Sequence, residues 1–133
     1  MRDFQIVIIG GGTGGIMVAA QLLKANSKLK VAIVEPKEAH WYQPAWTLVG
    51  AGTYEMEDTK RNMSSLIPEG ATWIKEYAES FDPEQNSIKL RSGEMLSYEY
   101  LVVAPGLVMD PSLIEGLPEA MDKGVVCSNY TDP

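Results

Sequence analysis

Apolar positions along this chain fall into blocks whose spacing changes from one part to the next. Phe4-Gln5-Ile6-Val7-Ile8-Ile9 is a near-continuous apolar run closed by glycine. It is short and rich in β-branched residues, as a strand buried on both faces of a parallel sheet would be. Gly10 to Gly15, five glycines and one threonine, predict a tight turn. From Ile16 to Ser27 the apolar residues Ile16, Ala19, Ala20 and Leu23 recur at helical spacing, with Gln21, Lys24 and Asn26 on the other side. Lys30 to Glu35 reads as a second buried strand, stopped by Pro36. Residues 4–35 therefore predict a β-turn-α-β unit.

Past that point the periodicity weakens. His40-Trp41-Tyr42-Gln43-Pro44-Ala45-Trp46 is dense in aromatics but has no clean period, and predicts a loop entering a helical segment. Glu57 to Leu66 predicts a short helix ended by Pro68 and Gly70. Trp73-Ile74-Lys75, Tyr77 to Phe81, Ser87 to Arg91 and Met95 to Tyr98 then follow, with Asp82-Pro83 and Ser92-Gly93 as turn signals. They predict a small antiparallel meander over about 72–99. Leu101 to Ala104 returns to the buried-strand type and stops at Pro105-Gly106. The remainder reads as loop, and its arrival at Pro133 without a closing element reads as an interruption.

With 133 residues, 45% of them hydrophobic and 22% charged, the chain has the composition of one ordinary folded domain. Its formal net charge of -7 opposes binding of nucleic acid through a basic surface. The single cysteine, Cys127, cannot form an intrachain disulfide, and with the single histidine, His40, it makes no zinc site. Apolar runs of four or five residues fall far short of the ~20 that span a bilayer, and no signal peptide is expected. A cytoplasmic chain, or one peripheral on the cytoplasmic membrane, is the expectation.

Gly10, Gly12 and Gly15 match G-x-G-x-x-G, and each glycine answers a different need. Gly10 permits the sharp exit from the strand. Gly12 lets the backbone approach a pyrophosphate, and Gly15 lets the helix pack close to the strand. Amides at the helix start would hold the phosphates, since the loop carries no lysine or arginine. Glu35, twenty residues past Gly15, stands where a carboxylate accepts from an adenosine ribose and disfavours a 2′-phosphate. The alternative is a glycine turn that is merely tight. The aromatics Trp41, Tyr42 and Trp46 are open to core packing or to a cofactor wall. His40 reads as structural, Cys127 as an inert thiol before a redox one, and the scattered acidic residues as solvated surface.

Four runs in matching order resemble the N-terminal part of the sulfide:quinone oxidoreductases, within the flavoproteins built from two dinucleotide-binding domains. They are Val7 to Gly15, Val34-Glu35-Pro36, His40 to Gly52 and Tyr98 to Gly106. Tyr42-Gln43-Pro44-Ala45-Trp46-Thr47-Leu48-Val49-Gly50-Ala51-Gly52 is the most specific of these. Gly116-Leu117-Pro118-Glu119 and Ser128-Asn129-Tyr130 point to the mitochondrial-type branch.

The resemblance implies an α/β fold: a Rossmann-like FAD-binding domain, a parallel sheet with helices plus the small antiparallel β-meander, of which the chain holds the N-terminal portion. Its parts would be the β-α-β unit 4–35, a flavin-side loop 36–56, the meander, a flavin-contacting strand 100–106 and the start of a linker 107–133. The cofactor implied is FAD. Gly10, Gly11, Gly12, Thr13, Gly14 and Gly15 would hold its pyrophosphate and Glu35 the ribose, with Pro36 and Lys37 beside the adenosine. Ala78 would offer backbone contacts to the adenine, and Gln43 and Pro44 would lie near the flavin. Ala104, Pro105 and Gly106 match a second flavin-contacting segment, where Pro105 replaces the usual threonine.

The chemistry implied takes two electrons from sulfide, through a cysteine disulfide, to FAD and then to a membrane quinone. The cysteines, the quinone pocket and the membrane-contacting parts are expected beyond residue 133. The chain alone is therefore expected to be inactive, with Cys127 at most an accessory thiol. A type II NADH:quinone oxidoreductase, a flavocytochrome sulfide dehydrogenase subunit and a non-catalytic nucleotide-binding module are the alternatives. An open edge strand would favour a homo-oligomer.

Overall fold

The computed structural model describes residues 2–128 and 130. The chain divides into two compact units. One comprises the residues through His40 together with Arg61–Gly106. The other comprises Trp41–Lys60 together with the residues from Leu107 onward.

The first unit is built on a four-stranded parallel sheet. Its strands are Ile6–Ile9 (β2), Val31–Val34 (β3), Ala71–Ile74 (β6) and Tyr100–Val103 (β10), in spatial order β10-β2-β3-β6. Ile8 lies opposite both Ile33 and Val102. Every residue of β2 and β3 is buried, as a sheet covered on both faces requires. Helix α1 (Thr13–Ala25) covers one face through Ala19 and Leu23, which pack with Ile6, Ile8, Val31 and Ile33. Val7, Ile9, Ala32 and Val34 point to the other face and meet Ile88, Leu90 and Leu96 of a second sheet. That sheet has the order β1-β9-β8-β7, from Arg2–Asp3, Met95–Ser97, Ser87–Leu90 and Ala78–Asp82. The α/β class with an antiparallel meander is thus observed.

Several elements depart from the periodicity. Phe4 to Ile9 is not one strand: Arg2–Asp3 (β1) runs parallel to β9 in the second sheet, and the chain changes sheets at Phe4-Gln5. There the Gln5 and Ile6 amides both donate to Lys30 O, and the Gln5 side chain accepts from the Lys30 amide. Helix α1 starts three residues before Ile16, because glycines carry no apolar mark by which a helical turn could be read. Trp73-Ile74-Lys75 does not belong to the meander. Its strand β6 runs parallel to β3, with Ile33 opposite Trp73. No glycine, proline or asparagine stands between Ile74 and Ala78 to turn a hairpin there.

The helix expected over 57–66 is absent. Two 3-10 turns, Met56–Thr59 and Met63–Ser65, flank the strand Lys60–Asn62 (β5), which pairs with Ala39–Trp41 (β4). Met63 and Leu66, three apart, fit a 3-10 turn as well as a helix, and Leu66 N donates to Met63 O at 2.9 Å.

In the second unit, a 3-10 turn at Gln43–Ala45 runs into the short helix α2 (Trp46–Gly50). Trp46 is buried, meets Trp41 edge to face at 6.3 Å, and donates its indole N–H to Thr59 Oγ1 at 3.2 Å. The tail after Gly106 is not all loop. Pro111–Leu113 forms a 3-10 turn and Leu117–Asp122 a helix (α3). Gly116, at φ +79°, caps that helix and Pro118 stands in its first turn, a start signal hidden in Gly-Leu-Pro-Glu. The readings placed on Asn129 and on residues 131–133 lie outside the described residues.

Candidate functional site

Strand β2 delivers the chain into the glycine loop, and the five glycines there divide into two kinds. Gly10 is buried at φ +101°, where a side chain is strained, and its amide extends the ladder to Val34 O at 2.9 Å. A Cβ on Gly10 would stand 2.1 Å from Ala104 O, and one on Gly15 would stand 1.9 Å from Gly10 O. On Gly11 it would collide with the Glu35 side chain at 2.7 Å and meet the Met63 methyl at 3.1 Å. These three glycines are demanded by the chain's own packing. Gly12 and Gly14 are exposed. A Cβ on Gly12 would meet nothing within 4 Å, and one on Gly14 only Ala104 Cβ at 3.8 Å.

Gly12 is the N-cap of α1. No side chain caps the helix and no acidic residue stands in its first turn. Amides at such an end need partners from outside the helix, and the positive end of the dipole favours anionic ones. A glycine left bare towards open space at that place is a cradle that a Cβ would fill.

Glu35 closes the other side. Its Oε2 accepts from the Gly11 amide and its Oε1 from the Lys37 amide, each at 2.8 Å. The carboxylate is therefore oriented by main chain alone, and each oxygen retains a lone pair for a further donor. Glu35 N donates to Ile74 O at 3.0 Å, and Glu35 O accepts from the Trp73 indole at 2.9 Å.

The structure brings together Gly10 to Gly15, Glu35, Lys37, Ala104 and Pro105, with Pro36 between Glu35 and Lys37 in sequence. Ala104 N donates to Ile9 O at 2.8 Å, which sets the end of β10 beside the loop. Ala78 starts β7 opposite Leu90 and packs against the core between the two sheets. Gln43 and Pro44 belong to the second unit. There Gln43, Trp46, Leu107, Met109 and Tyr130 line a cavity of about 350 Å³. Cys127 is exposed in the same unit. Among the described residues, no group of three or more acidic, histidine or cysteine side chains is placed to hold a metal, and no helix is long and apolar enough to cross a membrane.

Two residues at the loop were missed from sequence. Met63, 2% exposed, lies beneath Gly11, and Trp73 holds the end of β3. A methionine after an irregular stretch and a tryptophan in a short strand carry no signal that separates them from ordinary core.

A parallel sheet that leads into a glycine loop, a helix start and a strand-end carboxylate defines a dinucleotide-binding fold. Residues 4–132 match the pyridine nucleotide-disulphide oxidoreductase family, and the chain belongs to it. FAD is the cofactor of this family's flavoproteins, and the uncapped helix start with its bare Gly12 fits such a group.

Among curated proteins, the chain is 44% identical over 128 residues to the mitochondrial sulfide:quinone oxidoreductase of Dictyostelium discoideum, covering 96% of this chain and 28% of that protein. It is 41% identical over 130 residues to the mitochondrial sulfide:quinone oxidoreductase of Mus musculus, covering 98% and 29%. Among solved structures, the sulfide:quinone oxidoreductase of Aquifex aeolicus superposes with a TM-score of 0.70 at 32% identity, over 83% of this chain and 25% of that one. The chain thus spans under a third of the length of these relatives.

Proposed function

We propose that the chain is the FAD-binding portion of an oxidoreductase that takes electrons from sulfide and passes them through the flavin to a quinone. The observation that carries the cofactor reading is the bare, uncapped start of α1 beside a carboxylate already aimed by two amides. The amides of Gly12, Thr13 and Gly14 would hold the pyrophosphate, on a chain whose net charge otherwise repels it. Glu35 would accept from the adenosine ribose through its remaining lone pairs, and the same negative charge disfavours a ribose that carries a phosphate. Pro36 and Lys37 would flank the adenosine, with main chain at Ala78 facing the adenine. Ala104, Pro105 and Gly106, in the first unit, would border the flavin.

Bound FAD supplies a group that accepts an electron pair and gives it up again. The residues of this chain bind and orient it, and none of them is assigned to the sulfide or quinone steps. Those substrates are supported by the sulfide:quinone oxidoreductases at 41–44% identity.

Titrating the chain with FAD tests the cofactor reading. Quenching of flavin fluorescence at one equivalent is expected, and Gly12→Val removes it. Quenching that survives in the variant overturns the assignment of the loop. The FAD-loaded chain is expected to show no sulfide-dependent quinone reduction, whereas a longer protein that contains this chain at the length of its relatives is expected to show it. Flavin bleached by NADH and not by sulfide in that longer protein would overturn the substrate.

A further inference from the structure

The register of the parallel sheet leaves one main-chain acceptor without its regular donor at the site. With Glu35 N on Ile74 O, a parallel ladder continues by donation from Glu76 N to Glu35 O. That bond is not made. The Glu76 amide folds back onto Ile74 O at 2.9 Å, and the chain turns away towards β7. The Trp73 indole N–H takes the vacant place on Glu35 O at 2.9 Å.

The ring that donates is itself braced. Lys75 Nζ stands 4.4 Å from its centroid and forms an ion pair with Glu38 at 2.7 Å. A side chain from β6 thus extends the ladder by one bond, at the residue whose carboxylate closes the loop.

We propose that Trp73 is a positioning residue of the dinucleotide site, holding the Glu35 main chain so that its carboxylate stays aimed at the ribose. This rests on the reading of Glu35 as the ribose acceptor. Without the indole bond, the Glu35 peptide is free to rotate at the end of β3. Its side chain then spends less time with both oxygens on Gly11 N and Lys37 N. The consequence falls on recognition of the ribose hydroxyls and leaves the amides that hold phosphate in place.

The test uses ADP and its 2′,3′-dideoxy analogue, which share the pyrophosphate and differ in the ribose hydroxyls. Binding of both to the full chain is measured by calorimetry, with Trp73→Phe beside the original. A second form carries benzothienylalanine at position 73, which keeps the bicyclic shape and removes only the donor. The original chain is expected to prefer ADP. In both altered forms ADP weakens about fivefold, the scale of one lost hydrogen bond, while the dideoxy analogue is unchanged.

Equal weakening of both nucleotides overturns the proposal, since a merely structural role would move both. An undiminished preference for ADP in the two altered forms also overturns it. If the original chain binds both nucleotides alike, the ribose reading of Glu35 fails first and the positioning role falls with it. If Trp73→Phe does not fold, the benzothienylalanine form decides.

Discussion

The two sides of the glycine loop show how one motif serves two demands. On the inner side Gly10, Gly11 and Gly15 are buried, and a methyl group on any of them would run into main chain or into Glu35. On the outer side Gly12 and Gly14 are exposed, and a methyl group on Gly12 would touch nothing. Sequence alone assigns the same residue type to both. The inner glycines are what the fold needs in order to close. The outer ones are not needed by the fold, so their lack of side chains points to something outside it.

The sharpest way to break this contrast is to add one carbon to each side. Gly15→Ala puts a Cβ 1.9 Å from Gly10 O, so main chain must shift to admit it. A loss of about 3 kcal/mol is expected, at the upper end of overpacking costs. A melting temperature lower by about 10 °C should follow in a domain of this size, measured by circular dichroism. An unchanged melting temperature would show that the helix shifts to accommodate the methyl group.

Gly12→Val tests the opposite side. Valine is a poorer N-cap than glycine, so a cost of about 1 kcal/mol is expected and the fold stays intact. Flavin affinity should fall by about a hundredfold or more, since the side chain fills the space a pyrophosphate would enter. The two variants together reverse the order of effects: one destabilises the fold without filling the cradle, and the other fills the cradle with little cost to the fold. Similar losses of stability in both would remove the distinction.

Glu35 belongs to both sides, and its variants fall between. Its carboxylate ties Gly11 to Lys37 inside the fold and presents lone pairs outward. Glu35→Gln replaces one acceptor oxygen with an amide that faces a backbone N–H, so one of the two bonds is lost. A destabilisation of about 1–2 kcal/mol is expected for a half-buried, charge-assisted bond. Urea unfolding measures it, and ADP binding read beside it shows whether the ribose contact weakens as well.

The contrast also explains what could be read from the chain and what could not. Ile6 to Gly15 and Val31 to Glu35 were legible because a buried parallel strand is marked by unbroken apolar residues, and because the motif is local in sequence. Those two stretches, with the helical spacing between them, marked the β-turn-α-β unit, and the family resemblance supplied the rest of the fold class. Trp73 was assigned to the wrong sheet because its short strand has no period long enough to show which sheet it joins. The partner that settles it, β3, lies some forty residues earlier. Gly11 was read with its neighbours as a pyrophosphate holder, since the G-x-G-x-x-G pattern leaves its position open, whereas its amide is committed to Glu35. The reason it must be glycine, the side chain of Glu35, is again a contact between distant residues. Apart from the starts of α1 and α3, which are local, the misses lie where one element depends on a partner far along the chain.

The smallest effect expected lies outside the loop, at the ion pair that braces Trp73. Lys75, donating to Glu38 and adding its charge, lowers the Glu38 carboxyl below the ordinary glutamate value, and Lys89 does the same for Glu79. A carboxylate with a lowered folded pKa adds stability above its unfolded pKa, and that contribution is lost as pH falls through the folded value. Both pairs are solvent-exposed, so their contribution is small and is reduced further by salt.

Lys75→Met should therefore be slightly less stable than the original chain at neutral pH. Urea unfolding midpoints taken from neutral to acidic pH should then converge as Glu38 protonates. Lys89→Met gives the same measurement on a pair with no tryptophan beside it, and should converge fully. A remainder in Lys75→Met that persists in acid belongs to the ammonium over the Trp73 ring, which does not titrate there. The size of that remainder measures how far the brace on the inner side of the site depends on the ring contact, and how far on the charge pair outside it.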